Sequence, residues 1–250
     1  MLVFFGIGLF RLVTGDGGTI ARDNPTASWL IAQGGLLAVM VVVVPAFAAP
    51  TFARDGLATW VIRTAPLSGW QNALGKFVVY WGLMAGFVVV ADLIAAVILG
   101  WPLLRIAQGV VVAAILLTGA VALAVWIGTF GARYDPQNPH NQLRTGAGLL
   151  VMGVAAVYFL VTLFPALPAM VPTSLEPVLA GIAPAASGWA GVAVRAVLAA
   201  VRLKIAHPVL AIWLGTLWLV AIGLGVAAFA LWLTARRVDA GIQIEIVERG

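Results

Sequence analysis

Long apolar runs alternate along this chain with shorter polar or basic connections. A helix needs about 20 apolar residues to cross a hydrocarbon core roughly 30 Å thick. Five runs meet that length: residues 28–49, 77–100, 107–130, 146–170 and 208–234, each 22 to 27 residues long. Each predicts a transmembrane helix, and Pro45 in the first predicts a kink there. Residues 1–13, MLVFFGIGLFRLV, are apolar but too short to cross. They have no basic start and no small-x-small cleavage step, which argues against a signal peptide. They read as the last half of a helix whose beginning is missing, or as a short interfacial segment.

The connections differ in character. Residues 51–76 carry Arg54, Arg63 and Lys76, while Leu57, Trp60, Val61 and Thr64 recur at helical spacing, as in a helix lying on a membrane face. Pro66 ends that helix. Ser68 followed by Gln71 has the pattern of a capping box, which starts a second helix running through Trp70 and Leu74 into the next span. Two short helices at one membrane surface are expected. Residues 131–145, GARYDPQNPHNQLRT, form the most polar loop, with Asp135-Pro136 and Asn138-Pro139 marking turns. Residues 171–207 are punctuated by Pro and Gly yet largely apolar. Within them 189–205 reads as a re-entrant or interfacial helix, with Arg195 and Arg202 seven apart on one face. In the tail, Ile242, Ile244 and Ile246 alternate with Gln243 and Glu245, which permits a short strand or nothing ordered.

Composition agrees with lipid as the solvent. Of 250 residues, 63% are hydrophobic and only 9% charged, against about 25% charged in an average soluble domain. The net charge of +5 rests on 14 Lys and Arg that lie in the connections, which is a signature of topology and not of nucleic-acid binding. If 51–76, 131–145 and 235–250 are cytoplasmic, they hold eight of the fourteen: Arg54, Arg63, Lys76, Arg133, Arg144, Arg236, Arg237 and Arg249. The absence of cysteine excludes disulfides, thiolate metal sites and cysteine catalysis, and two histidines leave little for a metal cluster. No cofactor and no metal site is expected.

The chemistry-bearing candidates are few. GWQNALGK, from Gly69 to Lys76, places five residues where a phosphate-binding loop has four and ends at Phe77 where Ser or Thr must hold magnesium. ATP hydrolysis coupled to this chain would therefore come from another polypeptide. No HExxH, GxSxG or paired carboxylates on a helix are present, so the chain is not expected to be an enzyme. Asp92 is the only residue inside a run that is ionised at neutral pH, where a charge costs at least about 2.5 kcal/mol unless it faces protein or water. It reads either as a pathway or proton-coupling residue or, preferably, as a packing carboxyl bonded to Tyr80, to a Ser or Thr hydroxyl, or to Arg105. Ala120, Ala124 and Gly128, and likewise Ala211 and Gly215, recur every fourth residue, a spacing that lets helices approach closely. Ordinary packing within the chain is preferred to a dimer seam. Trp29, Trp81, Trp101 and Trp232 fall near the ends of runs, as interfacial anchors do.

The order of these elements resembles the membrane subunit of ABC exporters of the ABC-2 class, which share the type V exporter fold. The stretch WVIRTAPLSGWQNALGK, from Trp60 to Lys76, is similar to that family's coupling segment, and GTFGARYDPQNPHNQLRTGAG to its loop after the fourth helix. The resemblance implies an all-α integral membrane bundle with five full transmembrane helices, a partial N-terminal one, a cytoplasmic coupling-helix segment over 51–76 and an external re-entrant segment over 171–207. It places 28–49 as the family's second helix. It further implies a permease in a bacterial plasma membrane, partnered by a separate ABC ATPase and a second permease half. ATPase coupling then falls to Arg54, Trp60, Arg63, Pro66, Ser68 and Lys76, with Tyr134, Asp135 and His140 as a second contact. A non-transporting assembly subunit, a fragment of a larger permease and a secondary transporter are the other expectations that the sequence leaves open.

Overall fold

In the computed structural model, residues 25–58, 67–134, 142–242 and 245–246 are described, and they are overwhelmingly helical. The helices are α1 (Pro25–Ala48), α2 (Gly69–Leu99), α3 (Leu103–Gly131), α4 (Thr145–Leu163), the short α5 (Leu167–Met170) and α6 (Glu176–Ile182), α7 (Gly188–Ala206) and α8 (Pro208–Asp239). Short 3-10 turns cover Ala49–Thr51, Ala53–Ala58 and Thr173–Leu175. Spans long and apolar enough to cross a membrane lie at Ala32–Thr51, Gly69–Leu99, Leu103–Gly131, Gly146–Leu163 and Pro208–Asp239. The chain is therefore an all-α, multi-pass membrane protein. Many large apolar side chains on these helices are exposed, among them Val79, Val97, Leu149 and Trp213, as lipid-facing positions are.

The described residues fall into two compact units. One takes the chain up to Phe159 together with Gly223 onward, and the other is Leu160–Ile222.

In the first unit α3 is central, the most deeply buried of the candidate spans. Its neighbours come close because small residues face them. A side chain at Gly109 would meet Gln33 of α1, one at Gly119 the ring of Tyr158 on α4, and Ile115 packs on Gly223 of α8. Gly128 lies against the carbonyl of Ala49, and Ala120 and Ala124 are buried. That row of small residues is thus occupied inside the chain. In α1 the buried side chains Trp29, Ala32, Gln33, Leu36, Met40 and Val44 follow three- and four-residue steps, one stripe of a helix. The α2–α3 hairpin is tight because Gly100 adopts φ 65°, the left-handed conformation that glycine takes without strain, and Pro102 caps α3.

The capping box read from Ser68 and Gln71 is formed: Gln71 N–H donates to Ser68 Oγ at 3.3 Å, and Ser68 N–H donates to Gln71 Oε1 at 2.9 Å. The helix it opens runs through Trp70 and Leu74 into the span as expected, although as one unbroken helix of 31 residues and not as a short helix of its own. Asp239 Oδ1 accepts from Gly69 N–H at 2.7 Å, a carboxyl oxygen at the positive end of the helix dipole. Ser68→Ala is expected to lower stability by about 1 kcal/mol, read as a lower unfolding temperature in detergent, because it orphans a first-turn amide.

The second unit departs from expectation at its start. The run 146–170 is not one helix: α4 closes at Leu163, and α5 begins at Leu167. Pro165 lacks an N–H and disfavours the helical conformation of Phe164 before it, which ends α4. Lys204 of α7 donates to the carbonyls of Ala169 and Val171, both at 3.1 Å. Trp218 Nε1 donates to Val161 O at 3.0 Å. Ala211 is buried and Gly215 faces Ala169, so this small pair too is used within the chain.

Candidate functional site

Five helix ends gather at one end of the first unit: the C-termini of α1, α3 and α8 and the N-termini of α2 and α4. The alternating direction of consecutive helices brings them together, and Gly128 on Ala49, Gly69 on Asp239 and Gly131 on Ala147 close the packing. The described cations of this unit concentrate there as Arg54, Lys76, Arg133, Arg144, Arg236 and Arg237, whereas Arg105 lies at the opposite end.

The segment after α1 is clamped by two side chains one helical turn apart on α2, Lys76 and Tyr80. Lys76 Nζ pairs with Asp55 Oδ2 at 2.8 Å, donates to Thr51 O at 3.4 Å and stands 4.9 Å from the Phe52 ring centroid. Arg54 donates through Nη1 to Tyr80 Oη at 2.7 Å and to Phe47 O at 3.0 Å, and through Nε to Gln142 Oε1 at 3.2 Å. Phe52 and Ala53 are buried beneath. Gln142 in turn belongs to a neck that closes the loop between α3 and α4. There Ala132 bridges Leu143, Arg133 N–H donates to Gln142 O at 3.0 Å, and Arg144 N–H to Gly131 O at 3.1 Å. The neck also forms β1 (Arg133–Tyr134), paired in parallel with β2 (Glu245–Ile246), so Tyr134 lies opposite Ile246. Thus Arg54 links the α1–α2 connection to the α3–α4 loop, and the tail adds a strand beside it. At the end of α8, Arg236 lies 4.0 Å from the Trp232 ring centroid and Arg237 3.8 Å from that of Phe130, both within cation–π range.

Of the residues expected at this contact, Arg54 and Lys76 are brought together, Ser68 caps α2, and Tyr134 sits in the neck. Trp60, Arg63, Pro66, Asp135 and His140 lie outside the described residues. Asp55 and Gln142 were missed by sequence reasoning, which named Tyr80 only as a partner for Asp92. Lys76 and Tyr80 four residues apart on a helix were the available signal.

A second polar cluster lies toward the other end, between α1, α2 and α3. Asp92 is only 1% exposed, and its Oδ1 accepts from Gln33 Nε2 at 2.6 Å. Its partner is none of those expected. Tyr80 is engaged by Arg54, and Arg105 turns toward Gln108 and stands 5.4 Å from the Trp29 ring centroid. Gly109 makes room for the pair, since a Cβ there would stand 2.7 Å from Gln33 Nε2 and 3.3 Å from Asp92 Oδ2. Asp92 Oδ2 is buried and has no hydrogen-bond partner among the described residues. Trp29 is buried against protein, and its Nε1 donates to Arg105 O at 3.1 Å. Trp101 is buried as well, while Trp81 donates to Thr118 Oγ1 at 3.0 Å and Trp232 is exposed. Among the described residues no group of three His, Asp or Glu comes together as metal ligands would.

Comparisons with protein-family models, with curated proteins and with solved structures return no match.

Proposed function

We propose that this chain is a transmembrane permease subunit of an ATP-driven ABC exporter in a bacterial plasma membrane, worked by a separate ATPase. The reading rests on the resemblance of Trp60 to Lys76 and of the α3–α4 loop to ABC-2 permeases. The observation that supports it is the Arg54 link, which ties the two expected coupling segments to each other and to α2. The basic end of the first unit is the cytoplasmic end on this reading, as the positive-inside rule requires. An ATPase docked there pushes on the α1–α2 connection. The Lys76–Asp55 and Arg54–Tyr80 contacts pass that push to α2 as a rigid lever, and two permease halves alternate access between them. The substrate follows from none of these residues. Residues 171–207 are the external re-entrant segment of the same scheme.

Arg63→Glu combined with Pro66→Ala is expected to reduce stimulated ATP hydrolysis severalfold in proteoliposomes without impairing membrane insertion. Undiminished stimulation in that variant removes the coupling assignment.

A further inference from the structure

The second unit contains a trough of about 860 Å³, within the roughly 300–1,000 Å³ of small-molecule sites. Its walls are apolar, made by Ala183, Pro184, Leu198, Ala199, Leu203 and Ala206, but three cationic or titratable side chains stand around it: Arg195, Arg202 and His207. Arg195 and Arg202 both line the trough, two turns apart on α7 and about 10 Å along its axis, so a swing of the exposed Arg195 side chain toward Arg202 lets both guanidiniums reach one anion. Arg195 makes no hydrogen bond or ion pair among the described residues. Its guanidinium lies back over Gly191, where a Cβ would come within 3.2 Å of Nη1. Arg202 is paired through Nε with Glu176 Oε1 at 3.3 Å, but its side chain is 62% exposed. Such an exposed pair is weak and leaves its other guanidinium nitrogens available. Lys204 on the same helix is spent on backbone carbonyls. The trough lining therefore holds two arginines and no carboxylate, Glu176 pairing with Arg202 alone, and carries an excess of positive charge beside an alkyl-sized apolar wall.

We propose that this trough binds an anionic glycerophospholipid, with its phosphodiester on Arg195 and Arg202 and one acyl chain along Leu198, Ala199 and Leu203. Guanidinium forks match phosphate oxygens bidentately, which a zwitterionic headgroup satisfies less well because its own ammonium competes. A multi-pass chain is surrounded by lipid, so the ligand needs no further source. The assignment is independent of any ATPase partner.

The test is lipid retention by the full chain in neutral detergent, measured by native mass spectrometry after titration with phosphatidylglycerol or phosphatidylcholine. The wild type is expected to hold one phosphatidylglycerol about tenfold more tightly than phosphatidylcholine, the scale of one charge-assisted contact. Arg195→Gln, which removes no hydrogen bond or ion pair among the described residues, should erase most of that preference, and Arg195→Gln with Arg202→Gln all of it. Ala199→Phe keeps both arginines but fills the trough, and should weaken phosphatidylglycerol by a similar factor with an unchanged unfolding temperature. Equal retention of both lipids by the wild type overturns the proposal. So does full retention in any of the three variants, or displacement of the lipid by inorganic phosphate as effectively as by phosphatidylglycerol, which would mark a site for free anions.

Discussion

Gly128→Ala should lower the stability of the first unit by about 2 kcal/mol, a large loss for one methyl group. The added Cβ falls on the carbonyl oxygen of Ala49, a backbone atom in a 3-10 turn whose residues Ala49, Pro50 and Thr51 are all buried. A flexible side chain could yield, but this turn cannot move without displacing the end of α1 and the Phe52 and Lys76 contacts beyond it. Overpacking a tight core costs roughly 1–3 kcal/mol. Gly225→Ala is the control, because nothing lies within 4 Å of its added Cβ and alanine favours a helix over glycine. Thermal unfolding in detergent, followed by fluorescence size-exclusion, should show Gly128→Ala melting well below the wild type and Gly225→Ala at or slightly above it. Equal melting of the two would mean that α3 does not approach the end of α1 as closely as described.

The second large effect belongs to Asp92. Asp92→Ala removes the acceptor of the Gln33 amide and leaves a buried N–H unsatisfied, at a cost of about 1–3 kcal/mol. Asp92→Asn keeps an oxygen for Gln33 and should melt close to the wild type. Gln33→Ala with Asp92→Ala removes donor and acceptor together, and should cost less than the sum of the single substitutions. Interhelical pairs in membranes show couplings averaging about 0.6 and reaching about 1.7 kcal/mol. A coupling in that range identifies the pair as a packing device joining α1 to α2. Strict additivity would show that Gln33 and Asp92 act independently.

These two sites show how legibility divided. The apolar runs were readable because the length and composition of a span are local properties, and the five spans recovered lie on the five runs. The Ser68 capping box was readable for the same reason, its partners being three residues apart. Where a strong local breaker fell inside an apolar run, hydropathy alone misled: Pro165 ends α4 within the run 146–170. Contacts set by helix packing could not be read at all. Gln33 and Asp92 are 59 residues apart, and Gly69 and Asp239 are 170 apart, so neither pair follows from any window of sequence. The Arg54 web has the same origin. Arg54 was singled out as a basic residue in a connection, but Tyr80 and Gln142 become its partners only when α1, α2 and the neck meet. The pairing of Arg133–Tyr134 with Glu245–Ile246 likewise places a two-residue strand where the alternation permitted a short strand or nothing ordered.

The assignment of the basic end as an ATPase-docking face is the claim on which the functional reading turns. Pull-down of the tagged chain from native membranes in mild detergent, with mass spectrometry of what accompanies it, addresses that claim directly. The account predicts a co-purifying ATPase carrying Walker A and B motifs; recovery of another membrane subunit with no ATPase would contradict it and identify the chain as an assembly subunit.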